Sequence, residues 1–221
     1  MKSSHPVSIA VLLIVAVGLT ACAAGGPSSS ESTPSHPSAS ASPNPTGSET
    51  DVPVRDTLGF DDGNDVDNRM QAQWIDAMIA DKDFTLSSPD DGKGNWAYTQ
   101  NATQCVVRFW QGSVADLPAA SSDRELSDAI LSVWTRVSPA DVTAHAADGT
   151  VGYQLSGEAT AAVRIIAGSA QDKTYVTAAR GLRGLRGGFL TEVECPSGQS
   201  ATALFAALTP RYLGLTVYPA F

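Results

Sequence analysis

Phe189-Leu190-Thr191-Glu192-Val193-Glu194-Cys195 alternates with a period of two. Phe189, Thr191, Val193 and Cys195 fall on one side, and Leu190, Glu192 and Glu194 on the other. That is the pattern of a strand with one covered face. Residues 158–167 and 174–180 read as two more strands immediately before it. The connections, residues 168–173 and 181–188, are a few residues long. Parallel strands need a long crossover, so three consecutive antiparallel strands are expected. Residues 151–155 read as a shorter strand leading into them. On the far side, residues 200–208 read as a helix stopped by Pro210.

Upstream, residues 104–110 read as a strand whose Cys105, Val107 and Phe109 share a face. Residues 84–86 and 95–98 read as strands around the turn Pro89-Asp90-Asp91-Gly92. Ser122-Asp123-Arg124-Glu125 is a capping box. It opens a helix with the apolar stripe Leu126, Ile130, Val133, Trp134 and Val137, and Pro139 follows its end. Val66, Met70, Trp74 and Met78 recur every four residues, with Ile75 and Ile79 beside them. This predicts a helix over residues 65–80, with Asp65 and Asp67 near its favourable N-terminus. The order is helix, three strands, helix, four strands, helix. The fold class expected is α+β: one domain over residues 51–221, a twisted antiparallel sheet flanked by helices. In outline that order is similar to the α/β sandwiches of the PsbP and Mog1 type, which some secreted bacterial lipoproteins share.

The start of the chain is of another kind. Lys2 precedes an apolar run from Val7 to Leu19, and Leu19-Thr20-Ala21-Cys22 follows. The apolar core is shorter than the roughly 20 residues of a membrane-spanning helix. The segment resembles a bacterial lipoprotein signal peptide with its lipobox. The resemblance implies that residues 1–21 are removed, that the Cys22 sulfur carries a diacylglyceryl group, and that the N-terminus is often acylated as well. Two or more chains suffice for stable anchoring at the extracytoplasmic face of the cell membrane. Ala21-Cys22-Ala23 also fits ordinary secretory cleavage, which would release a soluble protein. Residues 22–50 are rich in Ser, Pro, Ala, Thr and Gly and hold no large apolar side chain. They read as a disordered tether with a reach of about 30 Å if flexible.

Lipidation of Cys22 accounts for the odd thiol among three cysteines and leaves Cys105 and Cys195. Outside the membrane such a pair is expected to form a disulfide. Neither has C-x-x-C spacing or a nearby His, which argues against a redox or metal site.

The formal net charge is −9, and it is uneven. Residues 51–91 hold eleven acids against Arg55, Arg69 and Lys82, whereas residues 93–221 balance ten acids with ten bases. This argues against nucleic acid and against adhesion to anionic lipid by charge. The segment Asp61-Asp62-Gly63-Asn64-Asp65-Val66-Asp67-Asn68 is oxygen-rich but fails the EF-hand template, so no metal is expected. Arg180, Arg183 and Arg186 recur every third residue among Gly181, Gly184, Gly187 and Gly188. They fit an anion-binding hairpin for a cell-wall polymer or acidic partner. They also fit an ordinary hairpin whose arginines complement the acidic N-terminal third. Trp74 and Trp134 lie on helix stripes and are expected in the core; Trp96 and Trp110 are left undecided.

Enzyme templates find little support. His145 is read as a loop residue, a Ser-His-Asp set with Asp141 has no supporting motif, and Glu158, Glu192 and Glu194 show no glycosidase signature. No cofactor is expected. Two functions stay open. One is a lipid-anchored extracytoplasmic binding domain for an envelope protein, a cell-wall polymer or a small apolar ligand. The alternative is a tethered envelope-glycan hydrolase or transferase.

Overall fold

The computed structural model describes residues 57–62, 66–154 and 156–220. The lipobox, the apolar run before it and residues 22–50 lie outside the described residues, as do Gly63, Asn64 and Asp65 of the acidic segment. Ten strands and three α-helices occur among the described residues. In chain order they are β1 (Thr57–Leu58), β2 (Met70–Trp74), β3 (Phe84–Ser88), β4 (Asn95–Gln100), β5 (Val106–Ser113), α1 (Asp123–Thr135), α2 (Pro139–His145), β6 (Ala147–Tyr153), β7 (Ser156–Ala170), β8 (Lys173–Leu182), β9 (Gly187–Pro196), α3 (Ala201–Leu208) and β10 (Gly214–Pro219).

β7, β8 and β9 form the antiparallel run that their alternation predicts. All strands join one sheet in the order β2-β10-β6-β7-β8-β9-β5-β4-β3, and β1 adds to β7. β10 runs parallel to β6, and β1 parallel to β7. The sheet is therefore mixed rather than purely antiparallel, and the domain is mostly sheet rather than a balanced α+β fold.

The largest correction concerns residues 65–80. The expected helix is replaced by β2 and a short 3-10 turn, Ala77–Ala80. A spacing of four is ambiguous: it returns to one face of a helix and equally to one face of a strand. Burial along β2 has period two, with Trp74 buried and Gln71 and Gln73 exposed. Pairing with β10 decides the matter, matching Trp74 with Leu215 and Met70 with Pro219. β10 itself escaped the sequence reading, although Leu215 and Val217 alternate in it, continue from Leu213 just before it, and are buried with it.

The sheet curls so that its two ends approach. Trp74 of edge strand β2 donates its indole N–H to the Trp110 carbonyl of β5 at 3.0 Å, and its backbone N–H to Gln111 Oε1 at 2.9 Å. Its ring meets Phe109 edge-on at 5.7 Å and Phe189 at 6.4 Å. Tyr98 of β4 donates its hydroxyl to Asp76, just past β2. Inside the curl lies the larger core, with Trp74, Phe109, Val163, Val193 and Phe205 among its members. A second core on the outer face joins Leu126, Ile130, Leu131, Val142, Ile166, Ala179 and Leu190. β9 is thus covered on both faces, not one: Phe189, Val193 and Cys195 point into the curl and Leu190 points under α1.

Cys105, just before β5, and Cys195 in β9 form the expected disulfide, with Cα atoms 4.2 Å apart. Ser122 caps α1 by accepting from the Glu125 N–H at 3.1 Å. The reciprocal half of the box is shifted by one residue, since Glu125 accepts from the N–H and hydroxyl of Ser121. Pro139 does more than follow α1. It opens α2, with Ser138 as its cap, because proline suits the first helical turn.

Candidate binding site

α1 sits close on β8 and β9 because two glycines let it. A Cβ at Gly188 would lie 2.6 Å from Val114 Cγ1 and 2.9 Å from both Ile130 Cδ1 and Trp110 Cζ3. Gly181 meets Leu126 more closely still. These glycines of the arginine stretch therefore serve helix packing.

Beyond that contact the outer face opens into a cleft of about 270 Å³. Trp110, Val114 and Leu117 line it from β5 and the following loop, and Ile130, Val133 and Trp134 from α1. Asn95, Ser113 and Asp116 form its polar edge. Val133 is 64 % exposed, an unusual position for a large apolar side chain. Trp134 is not simply core: its indole N–H donates to Glu192 Oε2 at 2.9 Å, which fixes the ring as a wall. Glu192 also accepts from Arg108 at 3.0 Å. Trp134 is thus tied to the sheet through Glu192, and it lines the cleft together with Trp110.

The three arginines do not act together. Arg180 is fully buried. It lies where β7 and β8 part to admit β1, and its guanidinium donates to the Ala162 carbonyl at 3.0 Å, the Gly59 carbonyl at 2.7 Å and Asp123 Oδ2 at 3.1 Å. It also lies over the Phe60 ring, 4.8 Å from its centre. Burial pushes the Asp123 carboxyl above its ordinary value, and burial pulls the Arg180 guanidinium down. Arg180 is therefore a structural ion-pair residue, closed to an external anion. Arg183 is exposed and donates to the Ser121 carbonyl at 2.6 Å. Arg186 is exposed at a positive φ of 50° in the β8–β9 turn. Arg183 and Arg186 share a second depression with Val114, Leu117, Pro118 and Leu126. This depression meets the tryptophan cleft at Val114 and Leu117.

A separate groove of about 490 Å³ lies between the two ends of the curled sheet. Trp96, stacked on Phe109 with centroids 5.2 Å apart, lines it with Ile79, Leu86, Asp76 and Asp90. Among the described residues, Ile79 and Leu86, at 69 % and 44 % exposure, and Val133 are the exposed large apolar side chains. All three border one of these two hollows.

The remaining candidates resolve simply. His145 is not in a loop but ends α2, where its Nδ1 lies 2.7 Å from the Asp141 backbone carbonyl. The Asp141 carboxylate instead accepts from Ser138 Oγ, so no Ser-His-Asp relay forms. Among the described residues no cluster of three or more His, Cys, Asp or Glu could hold a metal ion. Among them, too, no helix is long and apolar enough to cross a membrane. Sequence reasoning missed the cleft because its lining comes from β5, the loop after it and successive turns of α1. Val133 was placed on the apolar stripe of α1, yet it is the one member of that stripe left largely uncovered. Neither a family model, nor a curated protein, nor a solved structure matches this chain.

Proposed function

We propose that this chain is a lipid-anchored extracytoplasmic binding protein whose Trp110–Trp134 cleft takes an apolar ligand. The observation that carries the binding reading is the exposed Val133 beside Trp110 and the Glu192-bound Trp134 around a 270 Å³ hollow. Apolar surface left open to water is costly, and its placement at a concave site is what a ligand pocket requires. The anchor is supported by the lipobox Leu19-Thr20-Ala21-Cys22 and the tether composition of residues 22–50. The disulfide is consistent with an oxidising compartment.

The cleft is tested with a neutral apolar fluorophore such as N-phenylnaphthylamine, followed by energy transfer from tryptophan. Val133→Glu places a charge on the open wall at a helix surface position. Binding should weaken about tenfold, matching ~1.5 kcal/mol for a valine side chain no longer covered by ligand. Equal binding by both proteins would count against the cleft. The anchor is tested by fractionating cells that express Cys22→Ala, which should move the protein from the membrane to the soluble extracytoplasmic fraction. Unchanged membrane retention would overturn it.

A further inference from the structure

The geometry points to a more specific ligand: a single-chain anionic amphiphile, its tail in the Trp110–Trp134 cleft and its head at Arg186. This inference rests on the cleft reading above and adds the chemical class of the ligand. Three observations carry it.

The first is continuity. The cleft and the arginine-edged depression share Val114 and Leu117. α1 runs beneath both, presenting Leu126 to the arginine end and Ile130 and Trp134 to the cleft. From Leu126 to Trp134 the helix rises about 12 Å, at 1.5 Å per residue. The result is an elongated apolar trough rather than a round pocket, which suits a chain better than a ring.

The second is charge. Arg180 is consumed inside the fold and Arg183 is engaged with the Ser121 carbonyl. Arg186 is exposed, and its guanidinium makes no hydrogen bond or ion pair among the described residues. Of the two arginines that line the depression, Arg186 is therefore the one whose guanidinium is free to meet a carboxylate or phosphate, which its planar fork matches.

The third is polarity. Asp116 lines the tryptophan cleft and is not part of the arginine-edged depression. An anionic head there would meet a like charge, so the trough favours one orientation: tail toward Trp134, head toward Arg186. The turn holding Arg186 is itself braced, with the Arg186 N–H donating to the Arg183 carbonyl and the Val114 N–H to the Arg186 carbonyl, each at 3.0 Å. The arginine and the apolar wall are thus positioned by the same loop contact.

The test compares monomeric dodecyl phosphate with dodecanol on the full-length protein, read by tryptophan fluorescence. Dodecyl phosphate should bind about tenfold more tightly, and Arg186→Gln should bring the two to parity while leaving dodecanol affinity unchanged. Octyl, decyl and dodecyl phosphates should gain about fourfold per methylene until the trough is full. High salt should reduce the preference for phosphate, because the head contact is solvent-exposed. If both ligands bind the native protein equally, the head assignment falls and the apolar cleft stands. If neither binds, the cleft reading falls with it. If Val133→Glu binds dodecyl phosphate as well as the native protein, the tail placement is wrong. Binding to anionic vesicles without binding to the monomer would replace a ligand site by surface adhesion and overturn the proposal.

Discussion

Replacing Cys105 and Cys195 by serine, or reducing the bridge, is expected to lower stability by about 4–5 kcal/mol. The bridge closes a loop with a sequence separation of 90 residues. In the chain-entropy account, a loop of that size restricts the unfolded chain by this amount. A domain of this size loses roughly 2–4 °C of Tm per kcal/mol, so the melting point should fall by about 8–20 °C. The native state itself should change little. Cys105 and Cys195 flank the register in which Val106 pairs with Glu194, and both are buried, so the strands remain apposed without the bond. The effect should therefore appear in urea unfolding with and without reductant, while near-ultraviolet spectra of the folded forms coincide. A loss below ~1 kcal/mol would mean that the reduced, unfolded chain already holds β5 near β9.

Asp123→Ala is expected to cost about 3–5 kcal/mol, because it leaves the fully buried Arg180 charge without its carboxylate. It also removes the acceptor of the Arg183 N–H, at 3.0 Å. Arg180→Met should be costly too, since the Ala162 and Gly59 carbonyls lose their donor at the point where β7 and β8 separate. The pair should be coupled: the double variant should lose less than the sum of the single losses, by about 1–3 kcal/mol. Simple additivity in denaturant unfolding would refute a mutual dependence. The sign of the acid response follows from the direction of the Asp123 shift. Burial holds its folded pKa above the ordinary carboxylate value of 3.8, so the folded state takes up this proton first and Asp123 does not drive acid unfolding. Asp148 acts the opposite way. The Arg124 guanidinium holds its carboxyl below 3.8, so its small contribution is complete above that pH and is lost as the pH falls through the folded value. Asp148 is half exposed, so solvent screening keeps that contribution modest.

The arginine stretch shows how far residue types can be read without contacts. Three arginines among four glycines suggest one anion site. In the fold they have separate tasks: Arg180 holds a buried junction, Arg183 braces the loop before α1, and Arg186 faces solvent. Gly181 and Gly188 lie where Leu126 and Ile130 descend, which no local pattern reveals. The glycine spacing therefore recorded the approach of a helix distant in sequence.

Some of the molecule was determined by the sequence alone. The alternation of residues 189–195 and the short connections before it specify β7, β8 and β9, because a period of two matches the pleat of a strand and short connections cannot hold a parallel crossover. Ser122 with Glu125 specifies the start of α1, since a cap satisfies local backbone donors whatever lies beyond. With Cys22 set aside by its resemblance to a lipidation site, Cys105 and Cys195 were left as the pair to be joined. Tertiary structure alone decided the rest. A four-residue apolar spacing serves helix and strand alike, so only the edge of β10 made residues 70–74 a strand. The curl of the sheet, the burial of Arg180 and the joining of Trp110 to Trp134 across a cleft depend on segments far apart in the chain. Their energies come from contacts that no local window contains.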